Sequence, residues 1–86
     1  VTGLFDYFPK ALLEVSHVSY VGNDQHNPNQ PLHWDRSKSQ DDIDAFGRHF
    51  LESRHSTFDS DGVRYLAKCA WRLLAYLEKE LEQEQK

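Results

Sequence analysis

From Val63 to Leu81 apolar residues return every three or four positions. Val63, Leu66, Ala70, Leu73 and Leu77 form a stripe, and Ala67, Leu74 and Leu81 widen it to about half a helix's circumference. So wide a stripe needs several neighbours or a second subunit to cover it. A chain of 86 residues offers few neighbours, because short domains leave much of their surface in water. Cys69 is the only cysteine, so no disulfide framework can compensate. Its place among Ala67, Ala70 and Leu73 is that of a small buried apolar residue, and a lone cysteine fits a reducing intracellular setting. Oligomerisation is the usual remedy, so the pattern predicts a homodimer or higher oligomer assembled through this helix.

Two further helices are legible. The first starts at Pro9, well placed where an N–H is not needed, and carries Phe8, Leu12, Val15 and Val18 on one stripe. It should stop by Gly22-Asn23. Residues 23–38 then read as a loop, with Asn27-Pro28 and Gln30-Pro31 restricting helix; Leu32 and Trp34 predict that it is ordered and folds back. The second helix follows Ser39, which has capping-box spacing to Asp42, and Asp41, Asp42 and Asp44 suit its positive end. Ile43, Phe46 and Phe50 supply its inward face. Gly47 lies mid-helix at a cost of roughly 1 kcal/mol, which close approach by another helix or a ligand would explain. Ser60 is placed to cap the third helix, whose end should fray because Glu78, Glu80, Glu82 and Glu84 sit at its negative pole. The expected fold is all-α: one domain over residues 1–86, a small bundle of three principal helices with one long ordered loop.

No signal peptide or membrane span is visible, which points to the cytosol. Val1 in place of Met, before an apolar opening, suggests that a leader is missing. A net charge of −4, from 14 acidic and 10 basic residues, argues against a sliding surface for duplex nucleic acid. A local cluster of cations can still hold phosphate on an acidic protein. Two Trp, four Tyr and five Phe are many for so polar a chain, and some can stack on a base.

The polar residues of interest lie on the second and third helices. Asp44, Arg48 and Glu52 follow at helical spacing and read as a solvated ion-pair face or as part of a site. His49, between Phe46 and Phe50, is either a hydrogen-bonded boundary residue or a ligand contact. Asp59 and Asp61, in Phe58-Asp59-Ser60-Asp61-Gly62, either cap backbone N–H groups or form a metal or ribose site. Arg64, Lys68 and Arg72 make a basic stripe that is a solvated face or a phosphate contact. There is no glycine-rich phosphate loop, no paired-cysteine zinc site and no Gly-x-Ser-x-Gly elbow.

Taken in order, Phe8-Pro9-Lys10-Ala11-Leu12 to Val18, then Trp34, Arg48-His49, Asp59-Ser60-Asp61-Gly62, Leu66-Ala67 and Ala70-Trp71 resemble one family. It is the dATP/dGTP diphosphohydrolase N-terminal domain, a phage-associated family distantly similar to MazG-like all-α nucleotide pyrophosphohydrolases. The resemblance spans about Leu4 to Leu81. It implies a helical, oligomeric domain holding a purine nucleotide, with magnesium on carboxylates in active relatives. Arg48, His49, Asp59, Asp61 and Gly62 match the pattern. Lys10 stands where the pattern has glutamate, Tyr65 and Lys68 stand where it has histidines, and no glutamate-rich cluster precedes the tail.

Binding is therefore separated from turnover. The main reading is a protein that binds and sequesters a purine nucleotide or a cyclic (oligo)nucleotide signal unchanged and without a metal. By analogy it is a phage protein evading nucleotide-based immunity in the cytoplasm of a bacterial host. The site would comprise Trp34, Arg48, His49, Asp61, Arg64, Tyr65 and Lys68. Arg48, Arg64 and Lys68 would neutralise phosphate, Trp34 or Tyr65 would stack on the base, and His49 and Asp61 would bond ribose or base edges. The alternative is a magnesium-dependent diphosphohydrolase with Glu14, Asp42, Glu52, Asp59 and Asp61 converging on the metal. A helical protein-interaction module is the third class.

Overall fold

A computed structural model describes residues 1–38 and 40–85. Ser39, and with it the expected Ser39–Asp42 capping box, lies outside the described residues. Four helices follow one another: α1 (Thr2–Phe5), α2 (Pro9–His26), α3 (Asp42–Ser53) and α4 (Tyr65–Glu84). Among the described residues there is no strand, only an isolated antiparallel bridge between Phe58 and Arg64. The all-α expectation of three principal helices is met, with α1 as a short addition. α4 is the central element, packed on both α3 and α2. No helix among the described residues is long and apolar enough to cross a membrane.

α2 begins at Pro9 as predicted, and the Phe8 carbonyl accepts from the Leu12 N–H at 2.9 Å. It does not stop at Gly22-Asn23 but runs on to His26. The stop is set by Asn27, which precedes Pro28 and is disfavoured in helix. Asn23 instead fastens the loop: its Nδ2 donates to the Gln30 carbonyl at 3.1 Å, and its Oδ1 accepts from the His33 N–H at 3.2 Å. Leu12, Val15 and Val18 are half-buried, and Trp71 Nε1 donates to Ser19 Oγ at 2.7 Å, joining α4 to α2.

The expected inward face of α3 is corrected. Ile43 and Phe50 are almost half exposed, whereas Asp42 and Ala45 are buried and Phe46 and His49 half-buried. The register turns this way because Asp42, only 4 % exposed, receives Arg72 at 2.9 Å and Lys79 at 2.8 Å from α4. Removing a carboxylate from water demands such partners. Gly47 has no close neighbour, since a Cβ there would meet nothing within 4 Å. No other helix comes close to it, so helix packing does not explain this glycine.

α4 starts at Tyr65, so Ser60 does not cap it. The chain turns first: the Gly62 N–H reaches the Asp59 carbonyl at 3.0 Å, and Gly62 adopts φ +81°. That backbone is open to glycine and strained for other residues. The turn seats Val63, 1 % exposed, beneath it. Inside the bundle α4 presents the small residues Ala67, Cys69 and Ala75. The leucine stripe faces out, with Leu66 60 %, Leu73 44 %, Leu74 52 %, Leu77 48 % and Leu81 42 % exposed. The chain exposes 6735 Å², against about 5,300 Å² for a compact monomer of its 10.1 kDa.

Candidate functional site

The loop after α2 is held over α4 by one aromatic cluster. Trp34 meets Trp71 edge-on with ring centroids 5.7 Å apart, and the Arg36 guanidinium lies 4.2 Å over the Trp34 ring. Arg36 Nε also donates to both carboxylate oxygens of Glu82, at 3.0 and 2.9 Å. The loop is thus ordered and folded back, as Leu32 and Trp34 predict. Between it, the C-terminal half of α2, and α3 and α4 opens a cleft of ≈ 950 Å³. That is ample for a nucleotide-sized ligand.

Four of the expected residues, Trp34, His49, Asp61 and Lys68, line this cleft together. Tyr65 stands beside it, its ring 6.3 Å from that of His49. Arg48 is exposed and is not a lining residue. Arg64 lies over the Phe58 ring at 4.7 Å, with Glu14 at 3.8 Å, and does not line the cleft either. Arg36, Lys38, Trp71 and Arg72 do line it, and the expected site omitted them. The sequence carried two signals for them: Trp34-Asp35-Arg36 sets a cation beside an aromatic in a loop, and Arg72 completes the basic stripe of α4.

At one end of the cleft Lys68 joins two carboxylates, its Nζ 2.6 Å from Asp59 Oδ2 and 2.7 Å from Asp61 Oδ2. The turn pre-positions both acids: Asp59 Oδ1 accepts from the Ser60 N–H at 2.6 Å, and Asp61 Oδ1 from the Val63 N–H at 3.0 Å. Both therefore bond local backbone N–H groups, one of the two roles their spacing allows. The Lys68 ammonium, helped by the Ser60 N–H, holds Asp59 down at about 2. Burial would raise Asp61, but Lys68 and the Val63 N–H outweigh it and lower it. Burial likewise opposes the charge on Lys68, and the two aspartates overcome it, raising the ammonium above its ordinary value. Burial, with Glu52 and Asp59 nearby, pushes the Tyr65 phenol up to about 12, so it stays a donor, 3.3 Å from Asp59 Oδ1.

His49 differs from its neighbours. Its Nδ1 is the only buried side-chain nitrogen or oxygen without a hydrogen-bond partner among the described residues. Burial, followed by the charges of Lys68 and Arg48, lowers its pKa below the ordinary 6.5, so the ring is neutral at physiological pH. Cys69 is buried, its thiol donates to the Phe46 carbonyl at 3.6 Å, and burial raises its pKa. That is an inert packing residue.

Of the five carboxylates considered for a metal, four are engaged by cations, and Glu52 has no ion pair among the described residues. Asp42 lies under Arg72 and Lys79, Asp59 and Asp61 hold Lys68, and Glu14 faces Arg64. No group of three His, Cys, Asp or Glu side chains converges among the described residues. The Asp44–Arg48–Glu52 ladder also closes no ion pair among them.

The sequence model of one family, described as dATP/dGTP diphosphohydrolase, N-terminal, matches residues 2–86. No curated protein and no solved structure matches the chain.

Proposed function

The chain belongs to the dATP/dGTP diphosphohydrolase N-terminal family, and from that premise we propose that its cleft binds a purine nucleotide, linear or cyclic, and releases it unchanged. The observation that carries this reading is the lining itself. Two tryptophans and several cations frame a nucleotide-sized cleft, and the acids at its helical end, Asp61 with Asp59 and Asp42 nearby, are already paired with lysine and arginine. A base can stack on an aromatic ring at the cleft, such as Tyr65 beside His49. The cations stabilise bound phosphate without activating a water, which gives affinity without rate. Sequestration of a nucleotide signal, of the kind a phage uses against host immunity, is the role such binding would serve.

The family's name favours a second reading, diphosphohydrolysis of dATP or dGTP. In active relatives that chemistry is expected to use magnesium. The acids of this chain do not fit a magnesium centre as they stand, because Lys68 occupies the space between Asp59 and Asp61, and Asp42 is covered.

Calorimetry with dATP, dGTP and cyclic purine dinucleotides, with and without magnesium, tests binding. Chromatography of the recovered ligand tests turnover. Saturable heat with intact nucleotide is the expected result. Steady formation of monophosphate and pyrophosphate, abolished by Asp61→Asn or Glu52→Gln, would establish the hydrolase instead. No heat with any nucleotide would leave the exposed leucines of α4 and a protein-interaction role.

A further inference from the structure

We infer that His49 is the specificity-determining residue of the cleft, a neutral imidazole that presents Nε2–H as a donor to an acceptor on the ligand's base. The inference rests on the nucleotide-cleft reading and goes further by assigning the polar contact that selects the ligand. It begins with the buried Nδ1, which meets no donor or acceptor. Buried N–H groups without a partner are rarer in folded proteins than under-satisfied acceptors, so a buried ring nitrogen that meets nothing is better left bare than protonated. Protonation of Nδ1 is therefore disfavoured, and the neutral ring must carry its hydrogen on Nε2. Full protonation is opposed as well, by burial and by Lys68, Arg48 and Arg72, with only Glu52 among the named neighbours favouring it.

His49 is half-buried and lines the cleft, and Nε2 is not among the buried unpartnered atoms. The ring thus offers the cleft a donor and no charge. The α3 helix and the neighbouring Tyr65 ring hold it in place. The charge at this end indicates which part of a ligand it meets. Lys68 with Asp59 and Asp61 sums to one negative charge, a poor neighbour for phosphate. From the loop Arg36 and Lys38 line the cleft together with one acid, Asp35, a net positive lining. A nucleotide therefore enters with its phosphates toward the loop and its base toward His49. Purines offer acceptors such as N7 and, in guanine, O6. A site built around a fixed donor rejects a ligand that leaves that donor unmet.

Two measurements test this. Two-bond proton–nitrogen correlation spectra of the whole chain should show His49 as the neutral Nε2–H tautomer from pH 6.5 to 8 without ligand; the Nδ1–H tautomer would overturn the inference. Calorimetry with dGTP and with deoxyguanosine then compares wild type with His49→Gln, His49→Asn and His49→Phe, each checked for folding by circular dichroism. The glutamine amide reaches the Nε2 position and the asparagine amide the Nδ1 position. Glutamine should bind within about threefold of wild type, whereas asparagine and phenylalanine should lose roughly tenfold or more, the effect of one lost hydrogen bond. The losses should appear with the nucleoside as with the nucleotide. Unchanged binding by His49→Phe, rescue by asparagine rather than glutamine, or a loss confined to dGTP would each overturn the assignment while the nucleotide reading stands. Absence of wild-type binding to either compound would end both.

Discussion

Lys68→Met removes an ammonium and keeps most of the aliphatic volume, leaving Asp59 and Asp61 facing each other across the space it filled. The Lys68 side chain is only 15 % exposed, and those of Asp59 and Asp61 are 26 % and 19 % exposed, so water replaces the lost charge poorly. Lowering Asp59 from 3.8 to about 2 corresponds to ~2.5 kcal/mol at ~1.4 kcal/mol per pH unit. Part of that shift comes from the Ser60 N–H and the Tyr65 hydroxyl, which the variant keeps, and screening at the open side trims the Lys68 share to about 1–2 kcal/mol. Asp61 adds a contribution of the same sign, offset by its burial. The substitution should destabilise the chain by about 2 kcal/mol at pH 7. Domains this small hold roughly 5–10 kcal/mol in total, so the loss is readily measured.

The pH dependence separates this electrostatic loss from a packing loss. A depressed aspartate stabilises the fold above its unfolded value, and that contribution disappears as pH falls from about 4 through about 2. The raised pKa of Lys68 is the same interaction seen from the other partner: it needs ionised aspartates, so it disappears with them in acid, and it is lost again in strong alkali as the ammonium deprotonates. Urea melts of wild type and Lys68→Met should therefore differ by about 2 kcal/mol between pH 5 and 9, and converge toward pH 2. A gap that stays constant down to pH 2 would show that Lys68 acts through its methylenes, and the ion-pair argument would be wrong.

Asp42→Ala leaves Arg72 and Lys79 without their shared buried carboxylate and should cost about 2–4 kcal/mol by denaturant melting; a loss below ~0.5 kcal/mol would contradict the buried pairing. Gly62→Ala forces a Cβ onto a backbone at φ +81° and should lower stability by about 1 kcal/mol with no steric clash, since nothing lies within 4 Å. The exposed leucines of α4 and roughly 1,400 Å² of surface beyond that of a compact monomer predict self-association. Sedimentation at micromolar concentration should show a dimer or larger species that dissociates on Leu73→Glu, and a wild-type monomer would refute this.

The helices were legible because their signals are local. Pro9 opens α2, the acid-rich segment opens α3, and the three-four recurrence marks α4. Which side of each helix turns inward was not legible, because it depends on partners far along the chain. On α3, Ile43 and Phe50 looked inward by hydrophobicity, yet Asp42 takes the buried place once Arg72 and Lys79 reach it from more than twenty residues away. On α4 the leucines outrank the alanines in hydrophobicity, but Ala67 and Ala75 let the neighbouring helices pack closely while the leucines remain outside. The start of α4 was misplaced for a related reason. Ser60 suits a cap, but a positive φ at Gly62 and the Phe58–Arg64 bridge commit the segment to a turn.

The cations of the site follow the same logic, with a consequence for where a phosphate can bind. Arg64, just before α4, and Lys68 and Arg72 on it are evenly spaced, and the sequence allows them to serve as a phosphate triplet. Folding sends each to a different acid: Glu14, then Asp59 with Asp61, then Asp42. A phosphate that took Lys68 or Arg72 would strand partly or fully buried carboxylates, a cost of several kcal/mol. Taking Arg36 from Glu82 strands nothing, because that pair is 50 % and 36 % exposed and worth at most about 1 kcal/mol. Lys38 lines the same end of the cleft and makes no ion pair among the described residues. On the nucleotide reading, the cheapest exchange lies at the loop end, beside the Trp34–Trp71 pair. The cations that bind phosphate are then the ones the fold can release, and they lie on the long loop rather than on the helix where the charge pattern was clearest.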